Sequence, residues 1–452
     1  MAATQDVEKN DIHQTHDQLS TDQRMSESTK VERPGDASDV TSQIEAPIAP
    51  PQAPGIPDGG FVAWLQVLGS FFLFFNSWGI VNTYGVFQTY YESDLLRTES
   101  PSNISWIGSI QAFLLLLVGV ITGPLFDAGR LRLLLFTGTL LVVLGLMMTS
   151  ISKTYWEVLL AQAICMGIGL GCLFVPSVAI VSTYFSTRKA FAMGIAASGS
   201  SLGGVIYPII FHNLQPSIGF GWATRVLGFI SLATLSISLT TMRMRVQPAH
   251  KRSLIDQTAF RSPPFWLFTI GLFFGFMGLY VPFFYVQSYA LDEHIMSANS
   301  AFYMLSVINA ASIFGRIIPN WLADRMGPLN VLIPGTAIAC VVAFGWIGIH
   351  SVGGLVVFCL LYGFSSGSFV SIPPTVIVTL SPSLSVVGTR MGMTFAISGI
   401  GLLIGTPVAG QIVLRYGYIP AIAYCGACVL VSVTLFVATR LHKTGMNVMK
   451  VA

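Results

Sequence analysis

Between residues 61 and 440 the chain is a succession of apolar segments, each about 20 residues long and nearly free of charge, which is the length that crosses a hydrocarbon core. The segments fall near 61–87, 103–126, 131–151, 155–184, 190–212 and 222–242, then near 265–289, 300–322, 328–349, 353–379, 388–412 and 418–440. They predict an all-α membrane protein with twelve transmembrane helices. Composition points the same way: 10% of residues are charged, against roughly 25% in a soluble domain. The net charge of +3 is confined to loops and gives no reason to expect a nucleic-acid partner. All six cysteines lie in apolar segments, so they frame neither a disulfide scaffold nor a metal site, and Cys425-x-x-Cys428 reads as helix packing.

Residues 1–57 differ in kind. They are rich in Asp, Glu, Gln, Ser and Thr, and they end in the proline-rich run APIAPPQAPGIP. Such a stretch cannot bury a core and is expected to be a disordered cytosolic tail. It has no basic start followed by an apolar run, so it is not read as a signal peptide. Lys9 and Lys30 in this tail could take ubiquitin for turnover. Lysine and arginine set the orientation. Arg130, Arg132, Arg188, Lys189, Arg243, Arg245, Arg325, Arg390 and Arg440 are among those in alternate loops or the C-terminal tail, which by the positive-inside rule puts both termini in the cytosol. On the other side Asn103-Ile-Ser105 is a glycosylation sequon very close to the second helix.

The chain also repeats itself. Phe74, Phe75, Gly79, Gln88 and Tyr90 match Phe273, Phe274, Gly278, Gln287 and Tyr289 at an offset of 199. Leu125 and Asp127 match Leu322 and Asp324 at 197, and Gly167 and Gly171 match Gly363 and Gly367 at 196. Ser198-Gly199 and Leu202 match Ser398-Gly399 and Leu402 at 200, and Gly221 matches Gly417 at 196. One such match in apolar sequence means little; five in one order imply two six-helix halves with the same orientation. Such halves are related by a pseudo-two-fold axis along the membrane normal, with a site between them near mid-depth. The expected organisation is a tail at 1–57, an N-terminal half at 58–242, a linker at 243–264, a C-terminal half at 265–442 and a tail at 443–452.

Within this frame Arg316 is the unusual residue. It stands inside the apolar run that leads to Ala323-Asp324-Arg325-Met326-Gly327. A charge at such a depth costs several kcal/mol on most scales and needs a partner or a purpose. Its guanidinium fork suits a carboxylate, and no acid lies one turn away on its own helix. The structural alternative is that it snorkels or pairs with Asp324. The cavity is expected between the first, fourth, seventh, eighth and tenth helices. Its polar liners are expected to be Asn76, Asn82, Tyr84, Tyr280, Tyr285, Asn309 and Ser312, with rings such as Phe75 and Phe283 as apolar walls. The carboxylates outside the tail all map to loops or helix ends, so no ordinary proton carrier is expected at mid-membrane. The chain is therefore read as a facilitator, or as moving its solute in partly protonated form.

The loops after the second and eighth helices, Gly123-Pro-Leu-Phe-Asp127-Ala-Gly129-Arg130-Leu-Arg132 and Asn320-Trp-Leu-Ala-Asp324-Arg325-Met-Gly327, resemble the Gly-x-Leu-Ala-Asp-Arg-x-Gly-Arg motif of the major facilitator superfamily. The resemblance implies that these aspartates close a cytoplasmic gate, Asp127 with Arg390 and Asp324 with Arg188, beside Arg130 and Arg325. The opening Pro57-Asp58-Gly59-Gly60-Phe61-Val62-Ala63-Trp64, together with Asn82-Thr-Tyr-Gly-Val-Phe87, resembles fungal members of the monocarboxylate transporter family. That resemblance implies a major facilitator fold moving a small organic anion, often with a proton. Two positions depart from it: Asn82 stands where lactate-type members carry lysine, and Ser312 where they carry aspartate. No cofactor, metal cluster or nucleophile–base pair is read in the chain, and an enzyme is not expected. The expected function is secondary active or facilitative transport of a small, carboxylate-bearing solute by alternating access. Efflux of a secondary metabolite fits equally well, and a transport-inactive nutrient sensor is the reading from another class. The plasma membrane is the expected location, with a vacuolar or other internal membrane as the alternative.

Overall fold

The protein is described by a computed structural model covering residues 58–245, 255–382 and 384–445, with the side chains of Asp127, Asn299, Leu384 and Ser385 excepted. The N-terminal tail, the centre of the linker and the last residues of the C-terminal tail lie outside the described residues. Among the described residues there are eleven helices long and apolar enough to cross a membrane, and no strand. One of them, Lys189–Thr241, has 53 residues. At the helical rise that is about 80 Å, far more than one crossing needs. Its backbone leaves the helical region at Gly219 (φ 80°, ψ 165°), which divides it into a fifth and a sixth span. The chain thus makes the twelve crossings expected.

The others, in order, are the first span (Phe61–Leu95), second (Pro101–Phe126), third (Leu131–Thr149) and fourth (Tyr155–Tyr184). After the linker come the seventh (Pro263–Asp292), eighth (Ser300–Met326), ninth (Pro328–Gly348), tenth (Val352–Leu380), eleventh (Val386–Tyr416) and twelfth (Tyr418–Thr444). The first, seventh and tenth are interrupted at Ser77, Tyr280 and Ile372, and the fourth carries a π-helical stretch at Leu159–Met166. Pro282 and the Pro373-Pro374 pair lack the N–H that would continue the helix across the seventh and tenth breaks. These four irregular spans are among those expected to line the cavity.

The repeat is more regular in space than in sequence. Gly129 and Gly327 turn the chain after the second and eighth spans with φ of 81° and 92°; Gly219 and Gly417 do so after the fifth and eleventh with φ of 80° and 83°. Both pairs are 198 residues apart, and only glycine adopts this backbone at no steric cost. Gly219 is therefore the counterpart of Gly417, in place of the expected Gly221, which packs against the Ser150 carbonyl.

The glycine stripes hold each half together. A side chain at Gly199 or Gly203 of the fifth span would collide with the carbonyls of Phe71 and Phe75 in the first. At Gly401 or Gly405 of the eleventh it would collide with Phe273 and Met277 in the seventh. Gly167 and Gly171 bring the fourth span against Gln111 and Leu114 of the second; Gly363 and Gly367 bring the tenth against Ile308 and Ser312 of the eighth. Small residues permit this close approach in lipid, where apolar burial alone does not drive helices together. The six cysteines are free, and Cys425 donates to the Gly278 carbonyl (3.3 Å) as a packing group.

The chain enters the first span through a clamp. Asp58 (φ 55°) accepts hydrogen bonds from the backbone N–H groups of Ser186 (2.7 Å) and Thr187 (3.0 Å) and from both hydroxyls, just before the fifth span. The Thr187 hydroxyl and the Ser186 N–H hold its carboxyl below the ordinary value of 3.8, at about 2. A depressed pKa contributes stability that is complete above the ordinary value and lost as pH falls through the lowered one. Asp58→Asn is therefore expected to lower the thermal midpoint of the purified protein at pH 7, with the gap to wild type narrowing as pH is lowered below about 4. A pH series of thermal unfolding checks this, and a gap that does not change with pH would exclude the clamp as its source.

Candidate functional site

The halves meet along two long seams, the second span against the eleventh and the fifth against the eighth. Arg316 lies on the second of these seams and is 2% exposed. Its Nε donates to Ser312 Oγ (3.3 Å), one turn earlier, and its Nη1 donates to the Ala197 carbonyl of the fifth span (3.5 Å). Among the described residues no carboxylate pairs with it. Asp324, the structural alternative, is engaged elsewhere. Arg316 is therefore a buried cation held by two long hydrogen bonds, short of what a desolvated guanidinium requires.

Around it is a small chamber of about 20 Å³ lined by Phe74, Trp78, Phe174, Phe276 and Phe395, with Met193 and Ser371. Trp78 lies nearly parallel to Phe276 (centroids 6.3 Å, 21°) and Tyr280 (6.0 Å, 26°). Tyr280 hydroxyl donates to Asn82 Oδ1 (3.4 Å), while Asn82 Nδ2 is buried without a partner among the described residues. Trp78 and Asn82, Phe276 and Tyr280, and Ser312 and Arg316 are three pairs one helical turn apart, on the first, seventh and eighth spans. Residues four apart share a helix face, which is why each pair points inward together.

A second, apolar cavity of about 80 Å³ adjoins the chamber, between the second, fourth and eleventh spans. Gly123, Pro124, Ala179 and Gly388 place it toward the face that carries the arginine-rich loops, the basic face. Phe174, Val178 and Phe395 line both spaces. Phe174 and Phe395 come from opposite halves and meet edge to face at 5.4 Å, so this pair stands between vestibule and chamber.

At the opposite face the halves are sealed by hydrogen bonds. Ser105 Oγ meets Tyr285 hydroxyl (2.5 Å), which donates to the Thr406 carbonyl (3.2 Å). Ser109 meets Thr406 Oγ1 (2.5 Å), and Ser102 donates to the Pro407 carbonyl (3.2 Å). Ser105 Oγ also lies 3.3 Å from Gln88 Oε1, and the Gln88 amide donates to Glu92 (2.9 Å).

Of the expected liners, Arg316, Ser312, Asn82 and Tyr280 are brought together, and the rest are not. Asn76 is satisfied inside the N-terminal half by Thr234 (2.8 Å) and Tyr207 (2.7 Å). Tyr84 donates to the Ile104 carbonyl and packs on Gly108. Asn309 donates to its own Leu305 carbonyl (3.0 Å) and fills the space left by Gly204. Tyr285 belongs to the seal. Each is a polar group in an apolar helix that bonds a neighbouring backbone or side chain, with Asn309 Oδ1 left buried and unpartnered among the described residues. Asn103 stands in the first turn of the second span, its amide donating to Glu99 (2.9 Å).

The gate residues need a similar correction. Asp324 reaches the start of the fifth span, but it accepts from the backbone N–H groups of Ala190 (3.0 Å) and Phe191 (2.9 Å), while Arg188 is exposed. A helix N-terminus supplies unpaired N–H groups and a positive dipole end, which serve the carboxylate as well as an arginine would. The Asp127 side chain lies outside the described residues. Arg390 is held by the linker and its own half: its guanidinium donates to Asp256 (2.8 Å), Thr258 (3.1 Å) and the Leu380 carbonyl (2.9 Å), and it lies over the Phe265 ring. Asp256 is in the linker, where nothing in the sequence sets it apart from other loop charges. Burial raises its carboxyl, but the Thr258 and Arg390 bonds outweigh that and hold it below the ordinary range. Arg325 lies over Trp321 at 3.9 Å, and Arg130 is exposed at the start of the third span.

Residues 66–389 match the Major Facilitator Superfamily model. The chain is 47% identical over 407 residues to the MFS-type transporter dbaD of Emericella nidulans, covering 89% of this chain and 90% of that one. It is 39% identical to the agnestins efflux protein AgnL12 of Paecilomyces divaricatus (92% and 95% covered) and 38% identical to the aspyridones efflux protein apdF of Emericella nidulans (83% and 78%). Among solved structures it shares its fold with the transporter FucP in the outward conformation (TM-score 0.60, 18% identity, 83% of this chain and 98% of that one covered). The twelve crossings, the two repeated halves and these relatives lead to one conclusion: the chain is a transporter and belongs to the Major Facilitator Superfamily.

Proposed function

We propose that this transporter exports a small organic anion, carboxylate-bearing or of similar acidity, from the cytosol by alternating access. The observation that carries this is Arg316, a desolvated cation between the halves with no carboxylate beside it. A solute that brings its own negative charge supplies the missing partner, and charge-assisted bonds to a guanidinium fork are the strong kind. The direction is supported by the vestibule toward the basic face, which the positive-inside rule assigns to the cytosol. It is supported also by relatives that are named as efflux proteins for secondary metabolites. The Asp58-Gly59-Gly60-Phe61 opening and Arg316 support our reading of a monocarboxylate porter type, for which we propose the plasma membrane as location. With Ser312 in the usual acidic position, transport is facilitative or carries a partly protonated solute.

In a strain lacking the gene, the exported metabolite is expected to accumulate inside cells and to fall in the medium, and wild-type protein reverses this. Arg316→Gln should fail to restore export while still reaching its membrane. Arg316→Lys keeps the charge but loses the fork, and should leave export reduced by roughly tenfold. Normal export by both variants would return Arg316 to a purely structural role.

The seal makes a second expectation. Ser109→Cys places a thiol at a buried position between the halves, which an impermeant maleimide can reach only when the opposite face opens. Adding Tyr285→Phe removes a hydroxyl that bonds Ser105 and Thr406, so the labelling rate should rise by about fivefold, the population change one net hydrogen bond produces. An unchanged rate would mean that the seal lies elsewhere.

A further inference from the structure

Resting on the anion-export reading, we infer that the solute is a planar aromatic anion, its ring read by Trp78, Phe276 and Tyr280 and its acid group taken by Arg316. Three observations converge on this. The first is the arrangement of rings: Phe276 and Tyr280 lie within 13° of each other, and Trp78 within 26° of both, so three flat faces point along one direction. Trp78 belongs to one half and the other two to its partner half. When the halves part, Trp78 loses the π-faces opposite it, and a flat ring entering the gap restores them. A saturated ring restores only the area, because aromatic pairing adds to simple burial.

The second observation concerns the polar groups at the edge of this slot. Among the described residues three arginines, Arg225, Arg325 and Arg390, lie over aromatic rings. Arg316, in a chamber lined by five aromatic side chains, does not lie over any of them, and its fork stays available to an acid group. Asn82 Nδ2, one turn beyond Trp78, is a buried donor without an acceptor. It suits a carbonyl, hydroxyl or ether oxygen carried on the ring.

The third is symmetry. Trp78 and Asn82 come from the first span, and Phe276 and Tyr280 from the seventh, the two spans that correspond in the internal repeat. The two walls of the slot thus come from corresponding spans of the two halves and meet at the boundary between them. The chamber of about 20 Å³ is closed down to the size of a water molecule. The ring enters as the halves separate, past the Phe174–Phe395 pair from a vestibule whose walls are almost wholly apolar.

The test is calorimetric titration of the full-chain protein in lipid nanodiscs with 2-naphthoate, its saturated counterpart decahydro-2-naphthoate, and neutral 2-naphthamide. Naphthoate should bind about five- to tenfold more tightly than the saturated acid, the increment that ring pairing on two faces gives. That preference should fall below about twofold in Trp78→Leu, whereas Arg316→Gln should weaken both acids alike and leave the preference intact. Equal binding of the two acids by wild type overturns the aromatic inference and leaves the anion reading standing. Equal binding of naphthamide and naphthoate overturns the anion reading, and with it Arg316 as the partner of an acid group. If none of the three binds, both fall. Should Trp78→Leu fail to fold, Phe276→Leu takes its place, and a ring preference that survives in the folded variant counts against the slot.

Discussion

Close contact between glycine and carbonyl oxygen is what the rest of this transporter depends on. Within each half, glycines of the fifth or eleventh span lie on the backbone of the first or seventh, and glycines of the fourth or tenth on that of the second or eighth. Such contacts leave no room for a side chain and tolerate little sliding, so each half behaves as one body. Between the halves Gly85 and Gly194 make such contacts with the carbonyls of Phe283 and Arg316, beside contacts of another kind: hydroxyl pairs at one face, a carboxylate on backbone N–H groups at the other, and ring edges in the middle. Bonds of that sort contribute about 1 kcal/mol each and can be exchanged. Stiff halves with an exchangeable boundary are what rocking requires.

That boundary explains why a single arginine matters so much to function. Many polar residues elsewhere in the spans find partners within a turn or on the neighbouring helix, as Asn76 and Tyr84 do. Arg316 differs in carrying a full charge, on a helix that lies along the boundary where, among the described residues, neither half offers it an acid. The aromatic residues around it keep water out, which raises the cost of leaving it unpaired and the benefit of a partner that arrives with the solute.

How much of this could be read beforehand follows from the kind of signal each feature leaves. Span number and internal repeat are carried by hydropathy and by identities at a nearly constant offset, and both are legible. The turn at Gly219 is not, because a positive φ leaves no mark that distinguishes Gly219 from Gly221 two residues on. Polar residues in apolar helices stand out, so Asn82, Tyr280 and Arg316 are noticed, but so are Asn76 and Tyr84, whose satisfaction depends on which helix lies alongside. Trp78, Phe276, Phe174 and Phe395 are invisible for the opposite reason: one more aromatic among 31 phenylalanines and 8 tryptophans marks nothing until the halves are placed together. Asp256 is hidden because a linker acid looks like any solvated loop charge until Arg390 is found beside it.

The start of the fifth span is gripped twice, and the two grips differ in what they connect. Asp58 holds the N–H groups of Ser186 and Thr187 from within the same half; Asp324 holds those of Ala190 and Phe191 from the other. The same short stretch of backbone is thus a peg fixed by one carboxylate and hooked by the other. Releasing the hook does not fray the peg, so the energy of that step is confined to two hydrogen bonds rather than spread through a loosening helix. Since Asp58 is also where the chain enters the first span, a pull along the chain at that point is delivered to the peg beside the hook.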